Sequence, residues 1–213
     1  MQYVSTIQEG ERGLPRPTRT SYGRMLRTSV VMTIVLTILV GVIYPFFMTG
    51  AAQLLFNDQA NGSLIKGPNG QIVGSSLIGQ NFTKPQYFHP RLSAAGSGYD
   101  ASNSGGTNLG PTSATLLKNT IAEANAIRKE DGLPANYPLP SDAVSTSASG
   151  LDPDISPAYA DLQVARVARV RGLTQAQVRT LVQQYTSGRD LGVLGDPRVN
   201  VLELNLALDR LKK

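Results

Sequence analysis

Apolar residues are unevenly spread along the chain. Ser29–Phe47 reads SVVMTIVLTILVGVIYPFF and carries no charge. At about 1.5 Å per residue this run spans roughly 28 Å, close to the ~30 Å hydrocarbon core of a bilayer. It predicts one membrane-spanning helix. Past it the pattern breaks into short pieces. Asn57–Gln71 is rich in Gly, Asn and Pro and reads as loop and turn. Ile72–Phe82 (IVGSSLIGQNF) has a short apolar beat that suits one or two strands. Thr83–Pro111, dominated by Ser, Gly, Asn, Pro and Tyr, reads as a long ordered loop or a binding surface.

Helical spacing then takes over. Thr112 or Ser113 can cap a helix running to about Glu130, with Gly132 as its stop. Leu116, Leu117, Ile121, Ala124 and Ile127 form its expected buried side. Leu133–Gly150, with Pro134, Pro138 and Pro140, is again loop. Ser156-Pro157 places a cap before Pro at the first helical position, and Leu162, Val164, Val167 and Val170 follow up to Gly172. Thr174 with Gln177 spells a capping box for a third helix, packed through Val178, Leu181, Val182 and Tyr185 and stopped by Gly188. Asn200 with Glu203 can cap a last helix to Leu211, although its LELNLAL also alternates as a strand would. The expected fold class is α+β: one N-terminal transmembrane helix, then a small loop-rich extracytoplasmic domain with about three to four helices and a few short strands. Residues 1–23 read as a disordered cytoplasmic tail, 24–56 as the transmembrane helix and its exit, and 57–213 as the outer domain.

Charge orients the span. Before Ser29 stand five arginines (Arg12, Arg16, Arg19, Arg24, Arg27) against Glu9 and Glu11, and the first charge after the span is Asp58. By the positive-inside rule the N-terminus is cytoplasmic and the domain lies outside. A cleaved signal peptide ending at Gly50-Ala51-Ala52 is the rival reading. The apolar run exceeds the roughly 7–15 residues of a usual signal core, and the tail before it is long. Ser29, Thr33, Thr37 and Gly41 recur every fourth residue and form one stripe of small side chains, which suits close packing against another helix in the bilayer.

The remaining sequence excludes more chemistry than it offers. Past Thr28 the acids and bases nearly balance, so no basic patch calls for nucleic acid. There is no Cys and a single His, which argues against thiolate chemistry and a transition-metal centre. Gly105–Thr112 (GGTNLGPT) nearly spells a phosphate-binding loop, but Pro111 stands where the lysine belongs. It reads better as a turn leading into a capped helix. Ser63–Lys66 (SLIK) matches the nucleophile pattern of penicillin-binding enzymes without a helix start or a K-T-G to accompany it. His89, in YFHPR, could be a base or simply a hydrogen-bonded loop histidine. Asp152 and Asp154 could hold a cation, or sit ahead of a helix N-terminus where carboxylates are favoured. Arg166, Arg169, Arg171 and Arg179 are expected on solvated helix faces.

Three blocks go further: GSSLIGQNF (Gly74–Phe82) with YFHPR (Tyr87–Arg91); SGGTNLGPT (Ser104–Thr112); and SASGLDPDISPAYADLQVARV (Ser147–Val167) with GDPRVNVLELNLAL (Gly195–Leu208). Their order behind a single N-terminal helix resembles the C subunit of bacterial Kdp-type potassium-transporting P-type ATPases, over roughly Arg24 to Leu211. The resemblance implies a non-catalytic accessory subunit in the bacterial inner membrane. Its implied partners are a channel-like potassium-binding subunit, which carries the potassium, an ATP-hydrolysing subunit and the lipid bilayer. It further implies help in assembly and a catalytic-chaperone role that raises the ATP affinity of the hydrolysing subunit, with nucleotide contact through Gln163. That contact conflicts with the charge rule, which puts Gln163 outside, away from cytosolic ATP. An outward domain would instead support the potassium entrance and act on ATP only through coupling across the membrane. Outside this family, the alternatives are an anchored envelope hydrolase using Ser63 or His89, and a binding domain released near Ala52.

Overall fold

The computed structural model describes residues 21–67 and 69–211. Of the expected tail, residues 1–23, the first twenty lie outside the described residues, while Tyr22 and Gly23 already belong to the long helix. The chain divides into two compact units between Ala60 and Asn61.

The first unit is a helix from Tyr22 to Leu55, apolar enough to cross a membrane. Its parts are α1 (Tyr22–Ile38), a π-helical turn (Leu39–Ile43) and α2 (Tyr44–Leu55), followed by the short α3 (Asn57–Ala60). The π turn has a local cause. Pro45 has no N–H to give, and its ring would strike the carbonyl four residues back, at Gly41. Widening the turn ahead of proline relieves both problems without breaking the helix. The helix runs unbroken through Gly50-Ala51-Ala52.

The second unit is mixed α and β, in the expected class. Two strands, β1 (Leu64–Lys66) and β2 (Ile72–Ser75), form an antiparallel hairpin pairing Leu64 with Ser75 and Ile65 with Gly74. Thus 57–71, expected as loop, contains α3 and β1; both are too short for periodicity to reveal them. A long ordered segment then leads to α4 (Ala114–Asp131) and the short α5 (Ser141–Val144). β3 (Asp154–Ile155), α6 (Pro157–Arg171), α7 (Gln175–Gln184), β4 (Thr186–Ser187), β5 (Arg198–Asn200) and α8 (Val201–Leu211) complete the domain. β5 is the middle strand of a small antiparallel sheet ordered β3-β5-β4.

The end signals act as their chemistry predicts. The Ser113, Ser156 and Thr174 hydroxyls accept from the N–H groups of Leu116, Tyr159 and Gln177, and Gly132 and Gly172 close α4 and α6 in the left-handed conformation. Asn200 accepts from Glu203 N–H, so LELNLAL is helical. α7 stops at Tyr185, short of Gly188, because the chain turns directly into β4.

α6 is the central element, burying Tyr159, Leu162, Val164 and Val167 against α7, β5 and α4. Val178, Val199, Leu204 and Leu208 close the core around it with no exposed surface. Two sequence expectations need correcting. Leu117 and Ile121 are 62% and 52% exposed rather than buried. Asp131, the last residue of α4, is bonded to α6, and this turns the Leu116, Ala124 and Ile127 side of α4 inward. Arg166 and Arg171 are not solvated but buried, because loop carbonyls and carboxylates meet them inside the domain; Arg169 and Arg179 are exposed.

Candidate functional site

The segment Pro85–His89 belongs to no helix or strand, yet Phe88 is completely buried. A buried backbone without a ladder must find other partners. Here every carbonyl of the segment is taken by a side chain from α6 or α8. Arg166 Nη1 donates to Pro85 O at 2.6 Å and to Tyr87 O at 2.9 Å. Arg171 Nε donates to Gln86 O at 2.6 Å. Asn205 pairs with Phe88, its Nδ2 donating to the carbonyl at 3.0 Å and its Oδ1 accepting the N–H at 2.8 Å. Gln163 does the same for His89, at 3.1 Å and 2.7 Å. Two side-chain amides thus replace the neighbouring strand that this segment lacks.

Three of the four clamping side chains, Arg166, Gln163 and Arg171, are themselves held. Arg166 reaches Asp131 through Nε at 2.7 Å and Gln163 Oε1 through Nη2 at 2.7 Å. Burial pushes the Asp131 carboxyl above its ordinary range, against the pull of Arg166. Arg171 donates to Asp209 at 2.8 Å and lies 4.9 Å from the centre of the Tyr87 ring, whose hydroxyl donates to Asp209 at 3.1 Å. The result is a rigid, satisfied polar layer between α6, α8 and the loop.

The other resemblance blocks close around it. Arg91 pairs with Asp152 at 2.8 Å, and Tyr99 donates to the Arg91 carbonyl at 2.7 Å. Ser93 Oγ donates to Gly150 O, and Gly105 N–H to Ser149 O. Gly150 has φ +67°, and a Cβ there would stand 2.7 Å from Ala95 N. A Cβ on Gly79 would collide with the Asp152 carbonyl oxygen. Both positions admit only glycine because backbones cross there.

Beside the clamp, α4 and the segment 81–99 enclose a cleft of about 370 Å³. His89 faces it with Nδ1 3.6 Å from Glu130, while Nε2 lies 3.3 Å from Lys84 O. Burial, then the nearby Arg166, hold His89 below the usual imidazole range, which favours the neutral ring. Glu123 also lines the cleft, and burial raises its carboxyl.

The residues singled out in the sequence do not form one centre. Gln163 is 1% exposed and fully engaged in the clamp. Ser63 and Lys66 lie at a hairpin, not a helix start. Asp152 and Asp154 are partners of Arg91 and Arg198 rather than a shared site. The GGTNLGPT segment is a turn tied to Ser149, ending at the Ser113 cap. Ser29, Thr33, Thr37 and Gly41 are all exposed on the long helix, with Gly41 inside the π turn. Asn205, Asp131 and Asp209 escaped sequence reasoning. Their one signal was polarity at positions in or next to an apolar helix stripe.

Comparison with known proteins adds the following. The model of the KdpC family, "K+-transporting ATPase, c chain", matches residues 26–210. A protein of Koribacter versatilis named potassium-transporting ATPase KdpC subunit is 56% identical over 184 residues, covering 86% of this chain and 93% of that relative. Its namesake in Gemmatimonas aurantiaca is 57% identical over 187 residues, 87% of this chain and 92% of the relative. That of Mycobacterium tuberculosis is 51% identical over 188 residues, 88% and 99% respectively.

Proposed function

The chain belongs to the KdpC family, the c chain of K+-transporting ATPases, and from that premise we propose that it works from outside the membrane as a non-catalytic accessory to ATP-driven potassium uptake. It is a subunit of the ATPase rather than an enzyme by itself. On our reading residues 24–56 are the span and its exit, in the bacterial inner membrane with the N-terminus in the cytoplasm. Residues 57–213 then face outward. The arginine excess ahead of Ser29 is the observation that carries this orientation. The domain would assist assembly with the channel-like potassium-binding subunit and the ATP-hydrolysing subunit, and support the outer potassium entrance. The stripe Ser29, Thr33, Thr37 and Gly41 would meet a partner helix in the bilayer.

A catalytic-chaperone effect on ATP affinity then has to travel through the complex. The state of Gln163 supports that route: its amide is occupied by His89 and Arg166 and shielded from solvent. Direct nucleotide contact through Gln163 would require both an inward-facing domain and release of the clamp. Protease protection on sealed, right-side-out spheroplasts separates the two. With tags at both ends, the C-terminal tag should be cleaved and the N-terminal tag protected. Protection of the C-terminal tag would overturn the orientation and leave direct contact as the better account.

A further inference from the structure

The hairpin that opens the domain has two unlike sides. Directly opposed residues of an antiparallel pair share a side. Leu64 stands opposite Ser75, Lys66 opposite Ile72, and Ser75 in turn opposite Ile78. Leu64, Lys66, Ile72 and Ile78 therefore lie on one side, with Leu77 in the turn next to them. The four aliphatic residues are between 41% and 62% exposed, and Lys66 is exposed as well. Ser75 does not make this side polar, because its hydroxyl donates to Gly62 O at 2.7 Å and accepts from Leu77 N–H at 3.1 Å. The opposite side is seated on the domain. Ile65 and Gly74 are half-buried there, and a Cβ on Gly74 would stand 2.7 Å from Leu202. Asn200 Nδ2 donates to Ser76 O at 2.9 Å and ties down the turn. The aliphatic side is thus held outward by the fold itself.

The chain ahead of the hairpin limits what can cover it. No charged residue stands between Arg27 and Asp58. From Arg27 to Leu55 the helix is about 42 Å long, the thickness of a bilayer with its headgroups. With Arg27 in one headgroup layer, Leu55 reaches the other. Leu64 follows Leu55 by nine residues, four of them coiled in α3. That keeps Leu64 within about 25 Å of this layer. The charge pattern agrees. From Gln59 to Thr83 the only charge is Lys66, and no Asp or Glu occurs before Asp100. Aliphatic side chains with one lysine beside them suit a lipid surface, hydrocarbon against hydrocarbon and the ammonium among phosphates. Five side chains also fall well short of the roughly 20–30 residues that each side of a stable protein interface uses.

We propose that the outer side of the β1–β2 hairpin rests on the bilayer, with Leu64, Ile72, Leu77 and Ile78 entering the boundary between headgroups and acyl chains and Lys66 meeting lipid phosphates. The hairpin is then a second foothold for the domain, after its helix, and it restrains rotation about the short connection between α3 and β1. The contact rests on Ser29–Phe47 crossing the membrane, and it holds for either direction in which the domain faces.

The chain has no Trp, so a single introduced one is an unambiguous reporter. The full chain carrying Ile72→Trp or Leu77→Trp is placed in lipid nanodiscs with and without phospholipid brominated on its acyl chains. Both positions are open enough to take the larger ring. Quenching by the brominated lipid is expected at both, at least about threefold stronger than in Leu117→Trp on the exposed side of α4. Adding Lys66→Glu to Ile72→Trp should weaken the quenching about twofold or more, and further when the discs contain phosphatidylglycerol than in phosphatidylcholine alone. Val35→Trp, inside the span, reports insertion separately. No quenching at positions 72 and 77 while Val35→Trp stays quenched would overturn the hairpin contact and leave the membrane span standing. Loss at all three would overturn the span as well. Equal quenching in Leu117→Trp would mean that the domain lies on the disc without a preferred side, which also overturns the proposal. In the assembled ATPase, p-benzoylphenylalanine in place of Ile72 should cross-link to lipid on irradiation. A cross-link to another subunit instead would assign this side to a protein partner and overturn the proposal.

Discussion

Gln163 and Asn205, on different helices, hold adjacent peptide units of one loop: Gln163 takes both backbone groups of His89, and Asn205 both of Phe88. Each amide donates and accepts, so neither isostere can replace it. An acid lacks the donor, and an apolar side chain lacks both groups.

Removing either amide should therefore cost more than a typical polar-to-apolar change. Asn205→Leu strands a buried N–H and a buried carbonyl at Phe88, and Gln163→Leu strands the half-buried pair at His89 while also freeing a bond of Arg166. Each stranded group costs about 1–3 kcal/mol, so a loss of roughly 2–5 kcal/mol is expected for each variant. Urea titration of the full chain in detergent gives the number. Because both amides restrain the same loop, the double variant should lose less than the two singles added together.

Arg166 and Asp131 make a sharper test. Both side chains are nearly inaccessible and lie 2.7 Å apart. Arg166→Met leaves the Asp131 charge buried without its partner and three carbonyl or amide acceptors unmet, at an expected cost of about 3–5 kcal/mol. Adding Asp131→Asn removes the stranded charge and should recover part of that loss. If the double variant is no better than Arg166→Met alone, the damage comes from the loop carbonyls and not from the charge.

The direction of the His89 shift fixes a pH dependence. The folded state binds the proton less readily than the ordinary imidazole at 6.5, through burial and Arg166, with Glu130, the Lys84 carbonyl and Asp131 opposing. The unfolded chain therefore takes the proton first. The contribution of neutral His89 is complete above pH 6.5 and is lost as pH falls through its lower folded value. Glu123, Asp131 and Asp154 are shifted upward, so they act in the opposite sense and gain as pH falls. Comparing the wild type with His89→Asn isolates the histidine. Between pH 7 and pH 5.5 the variant should lose less stability, by up to about 1 kcal/mol. Parallel curves would mean that the ring titrates as it does in the unfolded chain.

The legible parts of this fold are those governed by local chemistry. The uncharged run, the Ser113, Ser156 and Thr174 caps and the stops at Gly132 and Gly172 depend on neighbours a few residues away, and they fall where the sequence puts them. The clamp depends on contacts more than seventy positions apart, such as Gln163 with His89, and periodicity carries no trace of those. It also runs against the usual expectation for arginine. Arg166 looks like a solvated residue until the orphan carbonyls of Pro85 and Tyr87 are brought to it. The rotation of α4 was hidden for the same reason. Leu117 and Ile121 fit an apolar stripe, but the Asp131–Arg166 bond selects the adjacent face. The π turn shows a middle case, since Pro45 marks the place while the way the helix accommodates it is a three-dimensional matter.

The exposed stripe on the long helix yields the last prediction. Gly41 lies in the π turn, where a Cβ would meet only Thr37 Cγ2 at 3.9 Å, an ordinary contact. Nothing among the described residues therefore requires glycine at this position, and leucine is a better helix former by close to 1 kcal/mol. Gly41→Leu should leave the helix intact or slightly firmer, as read by circular dichroism in detergent. If Ser29, Thr33, Thr37 and Gly41 pack against a partner helix, the same change fills the space that partner needs. Co-purification of the larger ATPase subunits through a tag on this chain should then fall several-fold, and further in Thr37→Leu/Gly41→Leu. Undiminished recovery of the complex would show that this face meets lipid alone, and would move the search for the intramembrane contact to the opposite side of the helix.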